Sequence, residues 1–235
     1  MKLKDRKVPW NIADVGKVFV VFLAVLIIQI YSGLFWLSEG HYLNNPFART
    51  VLMIGSYLII FLLVWFFGLR RKGGSFKDLG FKSFNLFFAL GKGVLWLILI
   101  KILTVLYSVF TSEVLNFKPP PELVTGVPDI FGRGSIGFLM AIFATVIVAP
   151  LVEEIFFRGF IYTALRDKIG VVWAALISSF IFAVFHGNLW SIVPIMLLGL
   201  ILVYLYERGN SIGPPVIFHA LNNLVSVLLI YSFLL

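Results

Sequence analysis

The third apolar segment of the chain, Leu86–Phe110, reads LFFALGKGVLWLILIKILTVLYSVF. Its 25 residues include only two charged side chains, Lys92 and Lys101. A bilayer core of about 30 Å needs about 20 apolar residues in a helix, so this segment is long enough to cross a membrane. Backbone polar groups in lipid must be satisfied internally, and a helix does this. The segment therefore predicts a transmembrane helix.

The composition of the whole chain indicates the same class. Of its 235 residues, 60% are hydrophobic and 13% are charged, whereas soluble domains carry about 45–50% apolar and about 25% charged residues. These values exclude a disordered tail, a nucleic-acid module and an ordinary water-soluble enzyme. The chain contains no cysteine, which also excludes disulfide frameworks and thiolate metal sites.

Six further segments resemble the first in length and apolar character. We predict an all-α fold, a polytopic membrane helix bundle with about seven, or eight, transmembrane helices. Residues 1–135 are expected to form an N-terminal membrane region with three spans, and residues 136–230 a second membrane domain. The other predicted spans are Val18–Leu37, Val51–Leu69, residues 136–165, Val171–Phe185, Ile192–Tyr206 and Pro214–Leu235.

The outer loop Ser112–Ser135 contains three consecutive prolines, Pro119 to Pro121. Such a run favours a stiff, extended conformation. We expect a simple spacer here, with a cover over an outer opening as the alternative.

The net charge of +8 is explained by the loops rather than by a nucleic-acid partner. Thirteen basic residues fall in one set of connecting segments and only Arg49, Lys118 and Arg133 in the other. This bias predicts a cytoplasmic N-terminus. The expected partners are membrane lipid, including anionic lipid, and no nucleic acid.

Polar residues inside three predicted spans are the candidates for function, because such residues are rare in lipid. Helical spacing places Glu154 and Arg158 on one face, as an i,i+4 pair that predicts a structural ion pair. Successive side chains point about 100° apart, so Glu153 points elsewhere and is a candidate general base. The other members are His186, His219 and Asn223, whereas His41 falls in a predicted outer loop.

The turn predicted at Asp167–Gly170 relates two of these residues. Glu153 and His186 are equidistant from it, so an antiparallel hairpin would place them opposite each other at one depth. His219 and Asn223 share one face of the last span. Counting residues along the last two spans does not place His219 at the same depth as His186, unless residues 187–194 dip inward or a helix is broken.

Two chemistries fit these residues. In the first, Glu153 and His186 activate a water molecule, and His219 and Asn223 donate hydrogen bonds to the oxyanion. In the second, Glu153, His186 and His219 hold a divalent metal such as zinc, which activates the water. The H-E-x-x-H pattern of the usual zinc protease helix is absent.

At these residues the chain resembles the CPBP group, which joins type II CAAX prenyl endopeptidases with bacteriocin-processing and self-immunity proteins. The family pattern E-E-x-x-x-R is matched by Glu153 to Arg158, F-x-x-x-H by Phe182 to His186, and H-x-x-x-N by His219 to Asn223. The resemblance covers roughly residues 136–230, which would then form a CAAX protease-like membrane domain.

The resemblance implies a role for each motif residue. Glu153 and His186 would hold the attacking water, and His219 and Asn223 would serve the oxyanion. Glu154 and Arg158 would position the site. Members are often called metalloproteases, but we favour a metal-free water activated by glutamate.

We therefore predict an intramembrane endopeptidase of a bacterial cell membrane that acts on a peptide or protein, either lipidated as in CAAX processing or a small unmodified peptide. Two alternatives stay open. One is a non-catalytic bacteriocin-immunity or membrane scaffold protein that binds a peptide partner. The other is a proton-coupled transporter, for which the sequence shows no inverted repeat.

Overall fold

The computed structural model describes the backbone of residues 7–38 and 45–232, and their side chains except those of residue 26 and residues 29–38. All regular structure in these ranges is helical. The predictions made for Lys2, Lys4, Arg6 and His41 lie outside the described residues.

Nine helices follow one another in the described ranges. A single helical stretch, Gly134–Phe185, is interrupted at Gly170, and its two parts are named α6 (134–169) and α7 (171–185). The others are α1 (Ile12–Ser38), α2 (Pro46–Arg70), α3 (Phe76–Leu79), α4 (Leu86–Glu113), α5 (Glu122–Phe131), α8 (Ile192–Gly209) and α9 (Gly213–Ser232).

The interruption at Gly170 lies in the turn that the sequence predicts. Gly170 has φ 79° and ψ 171°, a backbone conformation that glycine adopts without steric cost. The continuous stretch would otherwise be 52 residues long, about 78 Å and far more than one bilayer crossing. The chain therefore reverses here, and α6 and α7 are two spans.

The helices in the described ranges are approximately consistent with the predicted number of about seven spans. Five apolar stretches, one of them the α6–α7 pair, have the length and hydropathy of membrane spans. Helix α1 has 27 residues. The protein is an integral membrane protein.

The helix ends follow from local sequence. Asn45 precedes α2 and accepts a hydrogen bond from the Phe47 backbone, and Asn85 precedes α4 and accepts one from Phe88. Both asparagines are N-caps that satisfy a backbone N–H left over at a helix start. Helix α8 ends before Asn210, whose backbone adopts a left-handed conformation that terminates the helix.

The outer surface of the bundle is apolar. Along α4, Leu95, Ile98 and Val105 are each more than half exposed. A contiguous apolar surface of this kind fits lipid rather than water.

The core lies around α6, which packs against α2, α7 and α9. Its Phe160 is fully buried, as are Phe182 of α7 and Leu202 of α8. Gly199 allows α7 and α8 to approach closely, because a Cβ there would lie 2.8 Å from Cβ of Ser179.

Helix α6 is not a regular α-helix throughout. Two π-helical stretches, Ile142–Val148 and Ile155–Tyr162, flank the segment Ala149–Glu154 that carries the two glutamates. π-Helical turns inside α-helices are frequent at functional sites.

The expectation of a simple spacer for Ser112–Ser135 is wrong. This loop contains α5, which packs against α2, α6 and α9. Pro121 stands immediately before Glu122 at the start of the helix, and a proline is well tolerated there because its missing N–H is not needed. The tyrosine hydroxyl of Tyr231 on α9 donates a hydrogen bond to the Gly132 carbonyl at 2.8 Å and holds the end of α5 in place.

Candidate active site

A cavity of about 460 Å³ lies inside the bundle between α2, α5, α6, α7 and α9. The residues lining it are mainly apolar, with a cluster of polar groups along one part. The polar members are Ser56, Tyr57, Thr145, Glu153, His186, His219, Asn223 and Ser226. The structure therefore brings four of the six predicted site residues to one cavity.

The cavity extends from Glu153 toward one end of the bundle. Its walls include Met53 in the first half of α2, Val127 of α5 and Ile230 near the end of α9. With the predicted cytoplasmic N-terminus, this end would be the outer one. The covering position of α5 agrees with the alternative that the sequence left open for the proline-rich loop.

The other two predicted residues, Glu154 and Arg158, form a buried ion pair beside the cavity. The Arg158 guanidinium donates to Glu154 at 2.9 Å, and the two side chains are 1% and 0% exposed. Arg158 also donates to the Gly199 carbonyl at 3.3 Å, and its Cζ lies 4.4 Å from the ring centroid of Phe182. The predicted i,i+4 ion pair is confirmed.

His219 joins this buried pair to Glu153. Its Nδ1 lies 2.9 Å from Oε1 of Glu154, and its Nε2 lies 3.7 Å from Oε2 of Glu153. Since a carboxylate can only accept, Nδ1 of His219 carries the proton of this bond. The imidazole is thereby fixed in orientation between two carboxylates.

Glu153 presents its two carboxylate oxygens to different surroundings. Its Oε1 accepts a hydrogen bond from the hydroxyl of Tyr57 at 2.7 Å. Its Oε2 has no hydrogen-bond partner among the described residues. The prediction that Glu153 faces a cavity without Arg158 as a neighbour agrees with this geometry, although Tyr57 holds the carboxylate.

His186 stands at the end of α7, where the helix stops before Gly187. Its Nδ1 donates to the Phe182 carbonyl at 2.8 Å, which leaves Nε2 as the free ring nitrogen in the neutral form. The Phe182 ring contacts both imidazoles, with centroid distances of 4.7 Å to His186 and 5.8 Å to His219.

Asn223 is also held in a defined orientation. Its Nδ2 donates to the Thr145 carbonyl at 2.8 Å, and its Oδ1 accepts a weaker bond from Asn222 at 3.3 Å. An amide nitrogen carries two protons, so one N–H of Asn223 stays available toward the cavity.

Glu153 and His186 line the same cavity, as the counting from the turn predicts, but no hydrogen bond or ion pair links these two described residues. His219 lies between the glutamates instead. The depth of His219 in the bundle is explained by the different depths at which the helices begin.

Near the end of α8, Glu207 accepts hydrogen bonds from Tyr162 at 2.8 Å and from Arg166 at 3.2 Å. Tyr162 is 162 − 154 = 8 residues beyond Glu154, or about 12 Å along α6. Helix α9 therefore starts below the level of Glu154 in the bundle, and it reaches the level of Glu154 at His219. The counting assumed that all helices begin at one level, and they do not.

Three polar contacts at the cavity were not predicted from the sequence. Tyr57 and Thr145 are polar positions in apolar spans, and neither has a local partner in the sequence that would mark it. Lys101, one of the two charged residues of the apolar segment Leu86–Phe110, bonds to Ser226 at 3.0 Å. Ser226 lines the cavity.

A metal site needs suitable ligand atoms that lie close together. The residues predicted as ligands, Glu153, His186 and His219, offer one carboxylate oxygen and two Nε2 atoms, which are suitable in kind. Among the described residues, however, no three His, Cys, Asp or Glu side chains come close enough together to hold a metal. A zinc site therefore stays a prediction.

Taken together, the fold and the cavity define a polytopic membrane protein with a buried carboxylate–imidazole site. Residues 135–225 match the family model described as "Type II CAAX prenyl endopeptidase Rce1-like", which agrees with the resemblance seen in the sequence. All six predicted site residues fall within the matched segment. At the level of the family, the chain is supported as a membrane protease.

Two curated proteins are similar to this chain. One is the "UPF0177 protein YxdF" of Lactococcus lactis subsp. lactis (strain IL1403), which is 29% identical over 171 residues, 71% of this chain and 87% of that protein. The other is the "Putative membrane peptidase YdiL" of Bacillus subtilis (strain 168), which is 34% identical over 90 residues, 38% of this chain and 37% of that protein. No solved structure matches the chain.

Proposed function

We propose that the protein is an intramembrane endopeptidase in which Glu153 activates a water molecule to hydrolyse a peptide bond. The observation that carries this proposal is the carboxylate of Glu153, which lines one cavity with His186, His219 and Asn223 and whose buried Oε2 has no hydrogen-bond partner among the described residues. The Rce1-like family match and the peptidase name of one relative support the same class of reaction.

In the first step, Oε2 of Glu153 takes a proton from water, and the water oxygen bonds to the carbonyl carbon of the peptide. A positioned general base of this kind contributes about 10²–10⁴ in rate. His186 helps to hold the water, because its Nδ1 is committed to the Phe182 carbonyl and its Nε2 can accept a hydrogen bond.

The negative charge that develops on the carbonyl oxygen needs hydrogen-bond donors. The second N–H of Asn223 supplies one, with its amide held in place by Thr145. His219 can donate from Nε2 only as an imidazolium, since its Nδ1 proton is already shared with Glu154. Glu154 at 2.9 Å and Glu153 at 3.7 Å balance that charge.

In the second step, the C–N bond breaks and the proton held by Glu153 passes to the leaving nitrogen. The products are a carboxylic acid and an amine, which become a carboxylate and an ammonium after proton exchange, and Glu153 is again ionised. Glu154 and Arg158 act indirectly in this account, by fixing the imidazole of His219 through a bond that is buried from water.

The substrate that fits best is a peptide with an apolar or lipidated segment. Apart from its polar cluster, the cavity is lined by side chains such as Met53, Phe156, Val227 and Ile230. Apolar clefts of this size are typical of sites that bury most of a small ligand. CAAX-type processing and small-peptide processing both meet this requirement.

The experiment is a cleavage screen with the purified full-length chain in detergent or liposomes, using matched prenylated and unprenylated peptides. We expect cleavage of at least one peptide class, and loss of that cleavage in His186→Ala. A half-buried residue near the end of α4 that does not line the cavity provides the control, Ser112→Ala. Wild-type cleavage rates in His186→Ala would contradict the assignment.

A binding function is the second candidate, because the same apolar cavity would hold an uncleaved peptide partner. It predicts that a bound peptide is recovered intact and that binding survives Glu153→Ala. Recovery of cleaved peptide from the wild-type protein alone would exclude it.

A further inference from the structure

Tyr57 brings the N-terminal part of the chain into the site. It lies on α2, outside the segment 135–225 that matches the family model. Its hydroxyl donates to Oε1 of Glu153 at 2.7 Å, across 96 positions in the sequence. Both side chains line the cavity.

This hydrogen bond distinguishes the two oxygens of the Glu153 carboxylate. Oε1 is occupied by the Tyr57 hydroxyl, whereas Oε2 has no hydrogen-bond partner among the described residues. A glutamate side chain has several rotatable bonds, and a donor on one oxygen restricts them. The oxygen that meets a water is therefore Oε2, on the side of His219.

The other charged and titratable groups around Glu153 do not hold Oε1. Arg158 and Glu154, on the same helix, bond to each other. His219 of α9 approaches Oε2 at 3.7 Å, and His186 of α7 bonds to its own helix. Within the part of the chain that the structure describes, Tyr57 alone donates a hydrogen bond to this carboxylate.

We propose that Tyr57 is a positioning residue that fixes the Glu153 carboxylate through Oε1 and so directs Oε2 at the attacking water. This inference rests on the proposed function of Glu153. Tyr57 thus aims the base.

The variant Tyr57→Phe removes the hydroxyl and keeps the ring. We expect kcat to fall about tenfold with KM nearly unchanged, since the peptide-binding walls are intact. The matched control is Tyr204→Phe on α8, whose ring packs against Trp96 away from the cavity.

A second readout does not require a substrate. Dicyclohexylcarbodiimide modifies protonated carboxyl groups in apolar surroundings, and mass spectrometry locates the adduct. The rate of Glu153 labelling at one fixed pH is expected to differ in Tyr57→Phe from that in the wild-type protein and in Tyr204→Phe, because the hydroxyl that restrains Oε1 is lost.

The outcomes separate this inference from the function on which it rests. Equal labelling rates in Tyr57→Phe and the wild-type protein would overturn the role of Tyr57, and so would a lower melting temperature with kcat and KM unchanged. If Glu153→Gln retained cleavage, the proposed function would fail, whereas the difference in labelling rate would still show that Tyr57 controls the carboxylate.

Discussion

Replacing Arg158 by methionine tests the buried network most clearly. Methionine keeps much of the apolar stem but removes the guanidinium. The change leaves the Glu154 carboxylate, which is 0% exposed, without the partner at 2.9 Å. It also removes the bond to the Gly199 carbonyl and the contact with the Phe182 ring.

The expected loss is about 3–5 kcal/mol in the free energy of unfolding, because removal of one member leaves a buried charge uncompensated. His219 still bonds to Glu154, which favours the lower part of that range. The double variant Arg158→Met with Glu154→Gln should lose less than the sum of the two single changes, since no unpaired charge remains.

The assay is unfolding of the purified protein in mixed micelles with increasing sodium dodecyl sulfate, followed by tryptophan fluorescence and circular dichroism. The control is Arg71→Met, an exposed arginine just after α2, for which a change within about 0.5 kcal/mol is expected. If Arg158→Met matched this control, or if the two changes were simply additive, the argument that the ion pair organises the site would be refuted.

Three further predictions follow from single contacts. Gly199→Ala should lower the melting temperature, because its Cβ would lie 2.8 Å from Cβ of Ser179. The control Gly91→Ala has open space around it and should leave the melting temperature unchanged. Equal effects of the two changes would contradict the close packing of α7 and α8. Asn223→Ala should reduce kcat for peptide cleavage by about 10²–10³ through loss of an oxyanion donor, and an unchanged kcat would remove Asn223 from the mechanism. Treatment with a chelator should leave the cleavage rate unchanged, whereas loss of activity that added zinc restores would favour the metal alternative.

Local geometry explains what the sequence predicted well. The Glu154–Arg158 pair is an i,i+4 contact within one helix, so helical periodicity alone was enough to predict it. The reversal at Gly170 was predicted because a glycine with neighbouring charged residues separates two apolar runs. The approximate number of spans follows from the length of those runs.

Contacts between distant helices were not predictable in this way. Tyr57 and Glu153 are 96 residues apart, and a tyrosine in an apolar span gives no sign of the carboxylate it meets. His219 was expected to serve the oxyanion or to bind a metal, but the lower starting level of α9 also brings its Nδ1 to Glu154. The helix α5 was missed because a run of prolines favours extended structure, although its last member can start a helix.

The most direct test of the central claim is the cleavage rate of Glu153→Gln. Glutamine keeps the shape of the side chain and can still accept the Tyr57 hydrogen bond, but it cannot take a proton from water. With a peptide cleaved by the wild-type protein, kcat should fall by about 10²–10⁴ while the protein stays folded. The control Glu113→Gln, an exposed acid at the end of α4, should keep the wild-type rate. A Glu153→Gln protein that cleaves as fast as this control would contradict the account.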